Sequence, residues 1–136
     1  MNHNRLAAVT GQHREMLEQA LNIFNIFPDY NSDMMTKGQT LEGLTMKILN
    51  GASQLFDKIK PDLIFDQGDT TTTFTISLAA LYQKIPVAHI EAGLRTNNKY
   101  TRFLEEANRK MGSVIASHHF PYKTCKDEKL FFYICN

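Results

Sequence analysis

The feature that most restricts the fold of this chain is a pattern that occurs twice in residues 61–95, PDLIFDQGDTTTTFTISLAALYQKIPVAHIEAGLR: a short apolar run that ends in a turn holding glycine and an acid. Leu63, Ile64 and Phe65 lie between Asp62 and Asp66, a run too short for a helix and suited to a strand buried on both faces. Gln67, Gly68 and Asp69 break that run. Beyond Thr70 to Thr73, the spacing of Phe74, Leu78, Leu81 and Tyr82 predicts a helix. Pro86 then opens a second strand, Val87 to Ile90, which ends at Glu91, Ala92 and Gly93 before Leu94 and Arg95. Strand, glycine turn and helix in this order predict a parallel α/β sheet.

In an open parallel sheet the carboxyl ends of the strands share one edge, where such folds bind ligands. Asp69 and Glu91 are therefore predicted to lie on the same rim although they are far apart in sequence. Glycine beside each acid allows a ligand to approach the backbone, and the threonines after Asp69 offer hydroxyls and N–H groups at a helix start. A rim of this kind suits an anionic or hydroxyl-rich ligand.

The remainder of the chain repeats the alternation. Leu6 to Val9 is a weak strand candidate that ends at Thr10 and Gly11, and a helix is predicted over residues 13–25 with Met16, Leu17, Ala20, Leu21 and Phe24 on its inner face. Gln12 and His13 sit where strand hands over to helix, on the edge assigned to Asp69 and Glu91; taken alone, such a histidine is more often a cap or a solvated residue than a ligand contact. Residues 30–35 suggest a short edge strand. Thr40 is a plausible N-cap for a helix reaching Ile59, with Leu41, Leu44, Ile48, Leu49, Ala52, Leu55 and Phe56 inward and Pro61 as its stop. A last helix is predicted over residues 104–117, with Ala107, Met111, Val114 and Ile115 inward. From the residues alone, Glu105 and Glu106 in its first turn read as surface charges favoured by the helix dipole. His119 and Phe120 begin a final strand.

Alternation of this kind predicts a doubly wound α/β layer in one domain, with no internal repeat and no interdomain linker. The 136 residues are 43% hydrophobic and 21% charged, with a formal net charge of +1 and no basic run, so neither nucleic acid nor an anionic membrane is expected as partner. No stretch has the apolar length of a secretion signal or a membrane helix, which predicts a cytoplasmic protein. Cys125 and Cys135 lack metal-type pairing and are expected to be reduced thiols; no metal and no cofactor is expected.

Five ordered segments carry a resemblance: GQHREML (residues 11–17), KGQTL (37–41), QGDTTTT (67–73), HIEAGLRT (89–96) and EEANR (105–109). Together they resemble the non-hydrolysing UDP-N-acetylglucosamine 2-epimerases. The resemblance implies an incomplete Rossmann-like doubly wound parallel sheet, part of the N-terminal domain of a glycosyltransferase-B-type two-domain architecture that dimerises at full length. It implies interconversion of UDP-N-acetylglucosamine and UDP-N-acetylmannosamine by elimination and re-addition of UDP, for surface polysaccharide precursors. Asp69, Glu91 and Glu105 match the catalytic carboxylates, which of them is acid and which base being left open. Thr70 and Arg95 become substrate contacts, although Arg95 reads equally as an ordinary salt bridge to Glu91 or a neighbour. Gln12 and His13 match a second, allosteric UDP-N-acetylglucosamine site, for which Gly38 stands where some relatives carry arginine. The family's first strand and its C-terminal domain have no counterpart here, Thr101 to Glu106 lack the family's prolines, and residues 121–136 diverge. The chain by itself is therefore expected to be inactive, and the alternative reading is a non-catalytic remnant that associates with another epimerase chain.

Overall fold

The computed structural model describes residues 5–10, 14–32, 38–90 and 104–120, with the side chains of residues 14–16 excepted. In order, these form β1 (Ala8–Val9), α1 (Arg14–Ile23), β2 (Tyr30–Asn31), α2 (Leu41–Ile59), β3 (Ile64–Gln67), α3 (Thr71–Tyr82), β4 (Val87–Ile90), α4 (Glu105–Ile115) and β5 (His118–Phe120). Every strand pairing among them is parallel, as the alternation predicts. The described strands form two sheets, β1–β2 and β3–β4–β5, and the chain divides into two compact units at Gln39 and Thr40.

In the first unit, β1 and β2 are held together at their start by Asp29, whose carboxylate accepts the Ala7 N–H at 2.8 Å and whose own N–H donates to the Ala7 carbonyl at 2.8 Å. Helix α1 ends before Pro28: Asn25 takes the left-handed conformation (φ 51°), and the Ile26 N–H bonds back to the Leu21 carbonyl at 2.9 Å. The predicted inner face of α1 is not buried within its unit. Leu17 and Leu21 are half-buried, Ala20 is exposed, and Phe24 is 71% exposed. The physical reason is area: a sheet of two-residue strands offers little surface for a helix to cover.

The second unit is built on α2, which follows its local signals. The Thr40 hydroxyl caps it by accepting the Gly43 N–H at 3.2 Å, and Leu44, Ile48, Ala52 and Phe56 form the buried stripe. Leu41, predicted inward, is exposed. Ala52 and Phe56 join Ala79, Ala80 and Val87 in a core that Ile64, Ile76, Ile85 and Ile115 extend. Helix α3 packs against both α2 and α4 and also covers β3 and β4.

Three expectations fail in this unit, for related reasons. Strand β3 is buried on one face only: Asp66 is buried and Phe65 is 61% exposed, because the described helices pack on the Ile64 and Asp66 side. In α3, Leu81 and Tyr82 are exposed, whereas Thr72, Thr73, Thr75, Ser77, Ala79 and Ala80 are buried. A helix with neighbours on several sides is packed closest through small residues, and its hydroxyls are satisfied locally, Thr75 donating to the Thr71 carbonyl at 2.6 Å. In α4, Met111 and Val114 are exposed and the buried face is Glu106, Asn108, Arg109 and Gly112, so Glu106 is not a surface charge.

Candidate active site

The site grows from the turn that ends β3. Gly68 has φ 87°, a conformation glycine adopts without steric penalty, and its N–H reaches the Ile90 carbonyl at 3.4 Å, so the β3 turn is tied to the last residue of β4. Asp69 follows, then Thr70 as the N-cap of α3. The Thr70 Oγ1 accepts the Thr73 N–H at 3.2 Å and lies 3.0 Å from the Thr73 hydroxyl, which donates to the Gln67 carbonyl at 2.9 Å. The Thr70 side chain thus caps α3.

Helix α4 closes over this turn. Asn108 Nδ2 donates to the Asp69 carbonyl at 3.1 Å, and the Arg109 guanidinium pairs with the Asp69 carboxylate through Nη2 and Oδ2. The other arm of the same guanidinium donates to Glu106 Oε2 at 2.7 Å, and Lys110 Nζ lies 3.4 Å from Glu106 Oε1. Asp69 and Glu106 are thus set against Arg109 and Lys110, which balances the charge of a cluster whose glutamate is fully buried. The Asp69 side chain keeps 29% of its surface exposed, so its carboxylate remains open to solvent beside the guanidinium.

Glu105 begins α4, directly after Leu104, which sits at φ 77° without a side-chain cap. That backbone region is strained for leucine. Glu105 Oε2 is buried and has no hydrogen-bond partner among the described residues.

Asp69 is thus met by α4, the helix that Glu105 begins, through Asn108 and Arg109. Glu91, Arg95, Gln12 and His13 lie outside the described residues. Arg109 and Asn108, which touch Asp69, were not among the predicted site residues. Their signal was present in EEANR, where Glu106 and Arg109 stand three apart on one helical face, but that spacing is also common in solvated pairs. Among the described residues no group of three or more His, Cys, Asp or Glu side chains could hold a metal, and no helix is long and apolar enough to cross a membrane. A shallow cavity of about 390 Å³ lined by Lys60, Pro61, Asp62 and Pro86 lies at the opposite sheet edge, by the amino ends of β3 and β4.

Comparison with known proteins gives a consistent picture. The sequence profile described as UDP-N-acetylglucosamine 2-epimerase matches residues 3–132. The UDP-N-acetylglucosamine 2-epimerases of Escherichia coli K12 and Bacillus subtilis 168 are 49% and 51% identical to this chain over 123 residues, which is 90% of it and 33% and 32% of them. The crystal structure of the Neisseria meningitidis UDP-GlcNAc 2-epimerase bound to UDP-GlcNAc superposes with a TM-score of 0.79 at 49% identity, covering 85% of this chain and 32% of that one. The Methanocaldococcus jannaschii UDP-GlcNAc 2-epimerase, in complex with UDP-GlcNAc and UDP, gives a TM-score of 0.81 at 32% identity, covering 89% and 33%. The chain spans about a third of the length of the relatives it matches.

Proposed function

The chain belongs to the UDP-N-acetylglucosamine 2-epimerase family, and from that membership we propose that it supplies one wall of a site that inverts C2 of UDP-N-acetylglucosamine. The observation that carries the reading is the Arg109–Asp69 ion pair, which joins the EEANR and QGDTTTT segments across 40 residues of sequence. The C2 proton is not acidic, since no carbonyl adjoins it. Loss of that proton with departure of UDP from C1 gives 2-acetamidoglucal, and re-addition of UDP with a proton on the opposite face of C2 gives the manno isomer. Each positioned proton donor or acceptor contributes about 100- to 10,000-fold.

In this reading Asp69, Glu91 and Glu105 are the proton-handling carboxylates. Arg109 holds Asp69 by Oδ2, which leaves Oδ1 for a proton, and Oε2 of Glu105, which has no hydrogen-bond partner among the described residues, is the second candidate. Asn108 and the Thr70 cap keep the Asp69 turn in place, and Arg95 binds the substrate. Gln12 and His13 belong to a second nucleotide-sugar site. The chain spans about a third of the length of its relatives, and by itself it is expected to be inactive. The whole enzyme acts in the cytoplasm on surface polysaccharide precursors, as a dimer.

A second reading, a non-catalytic chain that associates with another epimerase chain, is favoured by the exposure of Ile23, Phe24 and Phe27 in the first unit. One experiment separates the two. The purified chain is incubated with UDP-N-acetylglucosamine in D2O and followed by NMR, alone and with a full-length relative. Deuterium at C2 that disappears in Asp69→Asn supports a working site. No exchange from the folded chain alone, with co-elution of the relative, supports the second reading.

A further inference from the structure

Beneath the Asp69 turn lies a second polar cluster that acid–base chemistry does not use. Asp66 on β3 and His89 on β4 are register partners, and His89 Nδ1 is 2.7 Å from Asp66 Oδ1. Ser77 of α3 donates to the other carboxylate oxygen, Oδ2, and its hydroxyl also lies 3.1 Å from the Thr73 carbonyl. All three side chains are buried, and His89 Nε2 is buried with no hydrogen-bond partner among the described residues.

Packing alone does not account for this arrangement. Three apolar side chains would fill the same space without desolvating a carboxylate and an imidazole. What the polar groups add is direction, since each hydrogen bond fixes an angle as well as a distance. The bonds also lead to the site. From His89 they pass through Asp66 to Ser77 of α3, whose hydroxyl sits beside the Thr73 carbonyl; the Thr73 hydroxyl in turn holds the Gln67 carbonyl and its N–H is capped by Thr70. Gln67 and Thr70 bracket Gly68 and Asp69. At its other end the path begins on β4 one residue before Ile90, whose carbonyl accepts the Gly68 N–H.

We propose that the Asp66–His89–Ser77 cluster is a positioning device for the Asp69 turn, fixing the end of β3 against β4 and α3 so that the Asp69 carboxylate meets Arg109. These are positioning residues and not catalytic ones. The inference rests on the epimerase reading only for the use to which Asp69 is put.

The test is NMR of the isotopically labelled 136-residue chain, following the His89 Nδ1–H, the Gly68 and Asp69 amides and the Arg109 Nε–H. Ile48→Val, at a buried apolar position of α2 that makes none of the cluster's hydrogen bonds, is the control for general destabilisation. Asp66→Val is expected to abolish the His89 Nδ1–H signal and to shift and broaden the Asp69 amide and Arg109 Nε–H well beyond the control. Asp66→Asn, which can still accept from the imidazole, is expected to restore most of both. Ser77→Ala repeats the test if Asp66→Val does not fold, and should move the same Asp69 and Arg109 signals. Variants that move those signals no more than the control would overturn the proposal, leaving the cluster a structural feature only. None of these readouts needs substrate, and titration with UDP-N-acetylglucosamine is read separately. Failure of the sugar nucleotide to shift any resonance would count against the epimerase reading and leave the positioning result intact.

Discussion

Helices α2 and α4 belong to the same unit and bury opposite kinds of face. In α2 the stripe is apolar, with Leu44, Ile48, Ala52 and Phe56 each four residues apart, and the start is capped by a threonine in extended conformation. In α4 the stripe is Glu106, Asn108, Arg109 and Gly112, the start is an uncapped leucine at positive φ, and Val114 is 86% exposed. Removal of apolar area from water holds the first helix. Charges that need one another hold the second, and hydrophobic periodicity is silent about that.

The strongest way to break this contrast is Arg109→Met, which takes the guanidinium from between the buried Glu106 carboxylate and the Asp69 carboxylate and leaves Glu106 the longer contact to Lys110. Loss of a buried partner costs about 3–5 kcal/mol, so urea denaturation should show a drop near the upper part of that range. A change below about 1 kcal/mol would mean that α4 is not held by its ion pairs. Next comes a matched pair of aliphatic truncations. Ile48→Ala should cost about 2–5 kcal/mol because the side chain is 1% exposed, whereas Val114→Ser should stay within about 0.5 kcal/mol. Equal losses in the two variants would show that α4 buries its apolar face after all.

Gly112→Ala sharpens the same point from the other side. A Cβ there meets nothing within 4 Å, so thermal melts should show a gain of about 1 kcal/mol from helix propensity, and a loss would reveal a tighter packing of the polar face. The smallest effect is expected at Glu42 in the first turn of α2. A hydrogen bond to its own backbone N–H, and then one from the Thr40 hydroxyl, hold this exposed carboxyl below its ordinary value of 4.5. A pKa lower in the folded state means that the contribution is present above the unfolded value and is lost as pH falls through the folded one. Glu42→Gln should therefore remove a shallow acid-side loss of stability, visible as a slightly flatter dependence of Tm on pH below 4.5.

The parts that were readable before folding are those whose cause is local. The pairing of Pro61 with the end of α2, the Thr40 cap and the break at Gly68 each depend on residues a few positions apart. The parallel class followed from the short runs at Ile64 and Val87 separated by a helix, because only a crossover can join such strands. Phe65, Leu81 and Tyr82 were misjudged because apolar character shows what can be buried and says nothing about whether a second layer is there to bury it. The same holds for Phe24, whose unit contains only two-residue strands among the described residues.

By itself the sequence determined where α2 starts and stops, the direction of the strands and the identity of the turn that carries Asp69. All of these are set by backbone preferences and capping groups within one or two turns of chain. Only the tertiary structure decided that Arg109 belongs to Asp69, that Asn108 holds the same turn and that Asp66 finds His89 and Ser77. A buried polar group must find its partner wherever the fold brings one, and here the partner of Asp69 lies 40 residues away, beyond any spacing a helix or a strand can encode.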